Sequence, residues 1–433
     1  MLFGAYLVVT ALWVLSTLAI TVWATRGYLN AIFALGLGKV ARKRIVLPVL
    51  SKTVADPPFV TILLPTYNEY AVVDRLLGAV TKIDYPAYEV IVADDSTDKK
   101  TMRHLGAWEK SGKVRIVHRD SRSGFKAGAL NNALDFSRKD GDYLLFFDAD
   151  YVPTPDIIWK MLADFSGGIA DVVQGYPDPS LNSSKNVLTR SVRASSSYYC
   201  LVDVATRQRM KGFIPIFGSV FMIKKVVLEK VGGFDESSIT EDWALASSLA
   251  ENGYRVVFDE GISVPAECPT TLRSLMRQQM RWAEGMTRDT KNHFLKMLGS
   301  RKATPMQKFD YLFYGFSQFS SIFGVTSYAI SAVAVLINAG LLTTLKLDRG
   351  LILGLGPFGQ YALFIAPIYL PLAFIIGASV ALHREGRASD IPWCFSALAV
   401  TLLLIPFVAF SSVKGLLFKK GSWSRTPKTG ETA

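Results

Sequence analysis

FVTILLPTYNE, residues 59–69, is an apolar run that stops at Pro65 and gives way at once to the polar cluster Thr66, Tyr67, Asn68 and Glu69. The same shape recurs downstream. Tyr88 to Ala93 ends at Asp94-Asp95, Val114 to Val117 ends at His118, and Tyr143 to Phe147 ends at Asp148. Short β-branched runs alternating with helical patterns read as βα units, so the fold class is α/β with a mainly parallel sheet. Open sheets of this kind take ligands at the carboxyl ends of their strands. One crevice is therefore expected to collect Thr66, Asn68, Glu69, Asp95, Asp148 and Asp150.

Outward from this core the composition changes character. The 433 residues are half hydrophobic, and 48 basic against 36 acidic side chains give a net charge of +12, which excludes disorder, a coiled coil and a small disulfide scaffold. Met1 to Thr25, Tyr311 to Leu345, Leu351 to Leu382 and Ile391 to Val413 carry no Asp, Glu, Lys or Arg. Each reaches the roughly 20 apolar residues that cross a bilayer core. The chain is read as an integral, multi-pass membrane protein. Its first segment lacks the basic lead and the cleavage site of a signal peptide, and so is expected to be an uncleaved anchor. Cys200, Cys268 and Cys394 have neither disulfide-framework nor zinc spacing.

The expected organisation is an anchor over 1–25, a basic linker over 26–58, a soluble domain over 59–268, amphipathic interface helices over 269–305, a membrane region over 306–413 and a basic tail over 414–433. Arg26, Lys39, Arg42, Lys43 and Arg44 follow the first span and place the soluble domain in the cytoplasm by the positive-inside rule. Four plain spans would leave the tail outside, whereas Lys414, Lys419, Lys420, Arg425 and Lys428 place it inside. The tail carries more weight, and Tyr311 to Leu345 is the segment expected not to be one clean crossing.

Asp148-Ala149-Asp150 offers two carboxylates at a strand end where the chain turns, which can converge on one hard divalent cation, Mg²⁺ or Mn²⁺, completed by waters and substrate phosphates. Acidic residues at turns are also commonly solvated caps. No Gly-Lys-Ser/Thr phosphate loop exists, so diphosphate charge would have to be met by metal and by cations such as Lys126 and Arg281. Thr240-Glu241-Asp242 precedes a helix-like stretch to Asn252, and fits either a helix cap or a catalytic carboxylate. Trp282 lies in an amphipathic stretch, Thr270 to Lys302, with Leu272, Leu275, Met276, Ala283 and Met286 at helical spacing. It fits an interfacial anchor, a site residue, or both.

Taken in order, Thr66-Tyr67-Asn68-Glu69, Asp94-Asp95, Lys126-Ala127-Gly128-Ala129-Leu130-Asn131, Asp148-Ala149-Asp150, Thr240-Glu241-Asp242 and Gln278-Gln279-Met280-Arg281-Trp282 closely resemble the membrane-bound inverting glycosyltransferases of family 2. That group contains cellulose, hyaluronan and mannan synthases and ceramide glucosyltransferases. The resemblance spans Pro65 to Trp282 and implies a GT-A-type, Rossmann-like cytoplasmic domain flanked by transmembrane helices. It implies that Thr66, Tyr67, Glu69 and Asp95 hold the nucleobase and ribose, that Lys126 lies near ribose and diphosphate, and that Asp148 and Asp150 hold the metal. Asp148 counts also among the nucleotide contacts. Asp242 matches the general base. Arg281 matches the residue that meets the diphosphate, Trp282 the one that stacks on the acceptor sugar, and Phe217, Gly218, Ser219, Glu241 and Gln278 line the acceptor end.

The expected function is transfer of a hexose from a UDP- or GDP-sugar to an acceptor hydroxyl, with inversion. The tail motif Trp423-Ser424-Arg425-Thr426-Pro427-Lys428 resembles the tails of cellulose-synthase-like and mannan-synthase-like members and favours processive β-linked polysaccharide synthesis over a single transfer to a lipid. Saccharide or lipid acceptors and membrane lipids are the expected partners, and the oligomeric state is open. A membrane-tethered nucleic-acid binder is the remote alternative. The positive excess lies beside membrane segments, where anionic lipid accounts for it, and no basic stripe with interleaved aromatics marks the soluble domain, so no nucleic acid is expected.

Overall fold

A computed structural model describes residues 2–40, 56–338, 361, 365–418, 421 and 425–430. Seven strands form one sheet: β1 Val60–Thr66, β2 Tyr88–Asp94, β3 Arg115–His118, β4 Tyr143–Phe146, β5 Val172–Asp178, β6 Phe221–Lys224 and β7 Val256–Pro265. Their spatial order is β3-β2-β1-β4-β6-β5-β7. All neighbours are parallel except β6, which runs antiparallel to both β4 and β5.

The central strand β1 is buried on both faces, which is why its sequence is a continuous apolar run and does not alternate. Ile62 and Leu64 pack with the Val73–Val80 and Ile157–Phe165 helices. Leu63 faces the other layer, with the Phe125–Leu134 and Glu241–Glu251 helices. Each such fully buried aliphatic side chain stabilises the fold by about 1.5–3 kcal/mol. The sheet therefore lies between two helical layers, and its strand ends meet solvent along one edge.

The Leu272–Gly299 helix follows β7 and is amphipathic, as the spacing of Leu275 and Ala283 requires. A Thr304–Gln307 capping box starts the next helix, Pro305–Gly315. The chain breaks before Phe319–Asn338, so Tyr311 to Leu345 is not one continuous helix; its residues 339–345 lie outside the described residues. Among the described residues three helices are long and apolar enough to cross a membrane, Val8–Gly36, Ala366–Arg384 and Trp393–Leu417, with a shorter apolar helix at Phe319–Val333.

The first helix runs past Thr25 to Gly36, so Arg26 lies within it and does not begin a linker. Arg26 pairs at 2.5 Å with buried Asp310, which explains why a charge is tolerated there. The linker residues Arg42, Lys43 and Arg44, the first part of the Leu351 to Leu382 segment, and Lys419, Lys420, Trp423 and Ser424 lie outside the described residues.

The Trp393–Leu417 helix has an unexpected placement. Its start rests on the Val187–Tyr198 helix, where the Ser191 and Ser396 hydroxyls lie 2.8 Å apart. Its end rests on the Leu272–Gly299 helix, where Lys414 pairs with Glu284 at 3.2 Å and Lys291 donates to the Leu416 carbonyl at 2.8 Å. Cys394, Ala397, Leu404, Ser411 and Gly415 form its buried stripe, whereas Phe395, Leu403, Phe410 and Leu417 on the opposite side are exposed. Both ends of this helix, about 37 Å apart at 1.5 Å per residue, touch the soluble domain.

Candidate active site

The strand ends build the floor of a cleft. Beyond β1, Asn68 adopts φ 55°, a left-handed conformation that asparagine tolerates. Its side-chain oxygen accepts from the Thr97 and Asp98 amides at 2.8 and 3.0 Å, tying the loop after β1 to the loop after β2. The two carboxylates ending β2 then diverge. Asp94 turns to His118 at 2.7 Å. Asp95 lines the cleft and is held by Arg119 through two 2.8 Å bonds. Arg122 lays its guanidinium 3.4 Å above the Tyr67 ring. The buried Thr66 hydroxyl has no hydrogen-bond partner among the described residues.

Antiparallel β6 is what brings Phe217, Gly218 and Ser219 to this edge, because its pairing with β4 ends at Phe146 and Phe221. Ser219 is fully buried and accepts the Asp148 amide at 2.9 Å. Gly218 has φ 73°, and a Cβ there would lie 3.0 Å from Asp242 Oδ2 and 3.2 Å from Lys126 Nζ. The glycine thus lets a carboxylate and an ammonium close over the same backbone. Lys126 Nζ donates to Asp148 Oδ1 at 2.7 Å and to the Gly218 carbonyl at 2.9 Å, and stands 3.3 Å from Glu241. Burial opposes its charge, yet Asp148, Glu241 and Asp242 together hold its pKa above the ordinary lysine value.

Asp242 enters from the first turn of the Glu241–Glu251 helix and accepts the Trp243 amide at 2.9 Å. Burial, reinforced by the neighbouring Glu241 carboxylate, pushes its pKa up to about 7. The helix-cap reading of this triplet fails at Thr240, whose hydroxyl donates to Asp289 at 2.7 Å and makes no cap bond. Gln278, Arg281 and Trp282 reach the cleft from the Leu272–Gly299 helix. Arg281 donates to the Ile239 carbonyl at 3.2 Å, and Trp282 stays 40% exposed, open to a ligand.

The tail folds back over this cleft. Arg425 donates to the Asn68 carbonyl at 2.5 Å and faces Glu69 at 3.9 Å. Gln278 donates to Thr426 at 3.3 Å, and Lys428 reaches Asp150 Oδ2 at 2.7 Å. Beyond it the Thr429 and Gly430 amides donate to Glu267, itself paired with Arg75 at 2.6 Å. Gly430, at φ 75°, passes so close to the Ala71 carbonyl that a Cβ would lie 2.3 Å from it. Burial raises the Glu69 pKa to about 8, against the opposing pull of Lys428.

The residues singled out from the sequence line this one cleft except Ser219, which lies behind it under Asp148, and Asn68, whose side chain is turned to the loop after β2. The cleft is open to solvent, and with its mouth counted it spans about 940 Å³. Sequence reasoning missed Arg119, Arg122 and the tail residues Arg425, Thr426 and Lys428 as site residues. The tail's signal is present as spaced cations around Thr426-Pro427, which by themselves indicate topology and a family likeness and not a place in the cleft.

Among the described residues no group of three or more His, Cys, Asp or Glu side chains could hold a metal. The Asp148–Asp150 pair nevertheless suits a hard cation. Asp150 Oδ1 is buried with no partner among the described residues, and Oδ2 already attracts the Lys428 ammonium. Two carboxylates are an incomplete shell that diphosphate oxygens and water would have to finish.

Comparison with known proteins adds to this geometry. The family described as "Glycosyltransferase like family 2" matches residues 57–285, more than half the chain. "Probable glucomannan 4-beta-mannosyltransferase 11" of Arabidopsis thaliana is 27% identical over 267 residues, 60% of each chain. "Probable glucomannan 4-beta-mannosyltransferase 9" of Oryza sativa subsp. japonica is 30% identical over 288 residues, 64% of this chain and 54% of the relative. The match thus spans less than two thirds of these relatives' own length. Among solved structures, the mannosyltransferase PcManGT of Pyrobaculum calidifontis, in complex with GDP-Man and Mn²⁺, aligns with a TM-score of 0.56 at 23% identity. That alignment covers 87% of this chain and 97% of the other, and establishes a shared fold.

Proposed function

We propose, because this chain belongs to glycosyltransferase family 2, that its strand-edge cleft transfers a hexose with inversion from a nucleoside-diphosphate sugar to the hydroxyl of a growing β-linked polysaccharide. The observation that carries this reading is the pairing of Asp242, buried with its pKa near 7, with the Asp148–Asp150 carboxylates across Lys126. A base of that pKa is half ionised at neutral pH and can take a proton in the transfer.

In this reading Tyr67 and Arg122 enclose the nucleobase, and Thr66, Glu69 and Asp95 meet the nucleoside, Asp95 being held rigid by Arg119. Asp148 and Asp150 would hold Mg²⁺ or Mn²⁺, which supplies charge neutralisation to the departing diphosphate. Lys126 and Arg281 supply further positive charge on the same side. Asp242 removes the acceptor proton as the hydroxyl attacks the anomeric carbon from the face opposite the leaving group. Trp282 offers an exposed ring face for the acceptor sugar, with Phe217, Gly218, Glu241 and Gln278 around it.

A mannosyl donor is favoured by the names of the relatives, and GDP-mannose is the first donor to test. The same relatives favour polymer over glycolipid. We also assign a topology. The first helix ends at the soluble domain, Phe319–Asn338 leaves it, and Ala366–Arg384 returns to it, where Arg384 pairs with Glu260 at 2.7 Å. These would be three crossings. Trp393–Leu417, anchored at both ends, would lie in the interface and leave the domain and the basic tail on the cytoplasmic face.

The test is turnover of purified protein against GDP-mannose, GDP-glucose, UDP-glucose and UDP-N-acetylglucosamine. The product is sized by gel and partitioned into organic solvent. The proposal expects one hexose donor to yield a water-retained, high-mass product; no turnover with any donor overturns it.

A further inference from the structure

We propose that a second cleft, between the Val187–Tyr198 helix and the turn joining Ala366–Arg384 to Trp393–Leu417, binds the phosphate of an anionic phospholipid headgroup. The cleft is small and open at its mouth, and it shares no lining residue with the sugar-transfer cleft. It rests on the membrane placement of these helices and not on the transfer chemistry.

Its floor is Arg193, only 3% exposed. Two of its nitrogens donate to Asp178 at 2.9 Å and Glu385 at 2.6 Å, while Nε is buried with no partner among the described residues. Glu385 also accepts from Ser197 at 3.0 Å, so the inner carboxylates are already engaged. The rim is different. Arg190 lies 4.6 Å over the Trp393 ring and has no acidic partner among the described residues. Arg387 is paired with Asp390 at 2.7 Å. At the mouth two guanidinium groups face one carboxylate, while at the floor Arg193 faces two, so the positive charge that would meet a phosphodiester is confined to the mouth. The exposed Ser184 hydroxyl adds a neutral donor beside it, whereas Ser183 donates to the Ser180 carbonyl at 3.3 Å.

A lipid source follows from what surrounds the mouth. Phe395 and Leu402 begin an exposed apolar surface just beyond this turn, and Ile368, Leu372 and Ile376 carry one on the other helix that ends before its last two turns. A headgroup held by Arg190 would leave its acyl chains along that surface. Trp393 is the first residue of its apolar helix, and tryptophan is enriched at membrane boundaries. Basic pockets at the cytoplasmic ends of membrane helices suit anionic headgroups for these reasons.

The test uses full-length protein, delipidated in neutral detergent. Its melting temperature is followed while dihexanoyl-phosphatidylglycerol, dihexanoyl-phosphatidylcholine or inorganic phosphate is titrated in. Phosphatidylglycerol is expected to stabilise the protein saturably and the other two far less. Arg190→Gln with Arg387→Gln should weaken that binding roughly 30-fold, from about fivefold for each arginine facing an anionic lipid. Ser184→Glu, at an exposed position, should do the same without disturbing a buried pair, and it serves if the arginine variant does not fold. Equal stabilisation by phosphatidylcholine, equal stabilisation by free phosphate, or undiminished binding in Ser184→Glu would each overturn the proposal.

Discussion

Lys428, close to the end of the chain, places its ammonium 2.7 Å from Asp150 Oδ2, at the spot where a divalent cation between Asp148 and Asp150 would need its oxygen. Burial works against the lysine's charge, and Asp150 holds its pKa up. Ammonium and metal therefore compete for one carboxylate. Lys428→Met is expected to raise Mn²⁺ affinity at pH 8, read from the free-ion electron paramagnetic resonance signal. Unchanged affinity would contradict this competition.

Gly218→Ala tests the close approach of Asp242 and Lys126. The left-handed backbone alone costs roughly 1–3 kcal/mol for a residue with a Cβ. The new methyl would also press on both charged groups. We expect a lower melting temperature and a fall in kcat larger than any change in nucleotide affinity. A variant with normal kcat would show that this approach does not matter to the chemistry.

Stability of the ligand-free protein should fall as pH rises from about 5 to 8. Glu69 and Asp242 hold protons in the fold up to about 8 and about 7, whereas in the unfolded chain they lose them near the ordinary carboxylate values. Between those limits the unfolded state binds fewer protons, so raising the pH favours unfolding. Glu69→Gln should flatten the upper part of this dependence, measured as melting temperature against pH. A slope as steep as in the unsubstituted protein would remove Glu69 from the account.

The in-plane placement proposed for Trp393–Leu417 is tested with spin labels at the exposed positions 395, 403, 410 and 417. An interface helix gives similar, shallow depths at all four. A crossing helix would put 403 deepest.

Much of the cleft was legible in the sequence because its polar residues stand where apolar runs end. Thr66, Asp95 and Asp148 each terminate a buried strand, and strand register alone aligns β1 with β2 and β4. What could not be read depends on contacts distant in sequence. The antiparallel β6 is too short to announce its direction, yet it decides that Gly218 meets Asp242. The docking of Lys428 on Asp150 joins residues 278 positions apart, and neither the tail's charge nor its family likeness announces that contact. Arg26 misled in the same way. A cation after an apolar stretch reads as a membrane boundary until its partner Asp310 is known.

The most direct measurement is paired on Asp242→Asn: nucleoside-diphosphate affinity by calorimetry, and sugar transfer from the best donor. Asparagine keeps the side chain's size and can still accept the Trp243 amide, but it cannot take a proton at neutral pH. General-base catalysis is typically worth 10²–10⁴-fold, so transfer should fall by roughly two orders of magnitude or more while nucleotide affinity stays near normal. In the unsubstituted enzyme kcat/KM should rise with pH through about 7, the value at which Asp242 becomes ionised. An Asp242→Asn protein that transfers sugar at the normal rate would contradict the assignment of the base, and with it the account of the site.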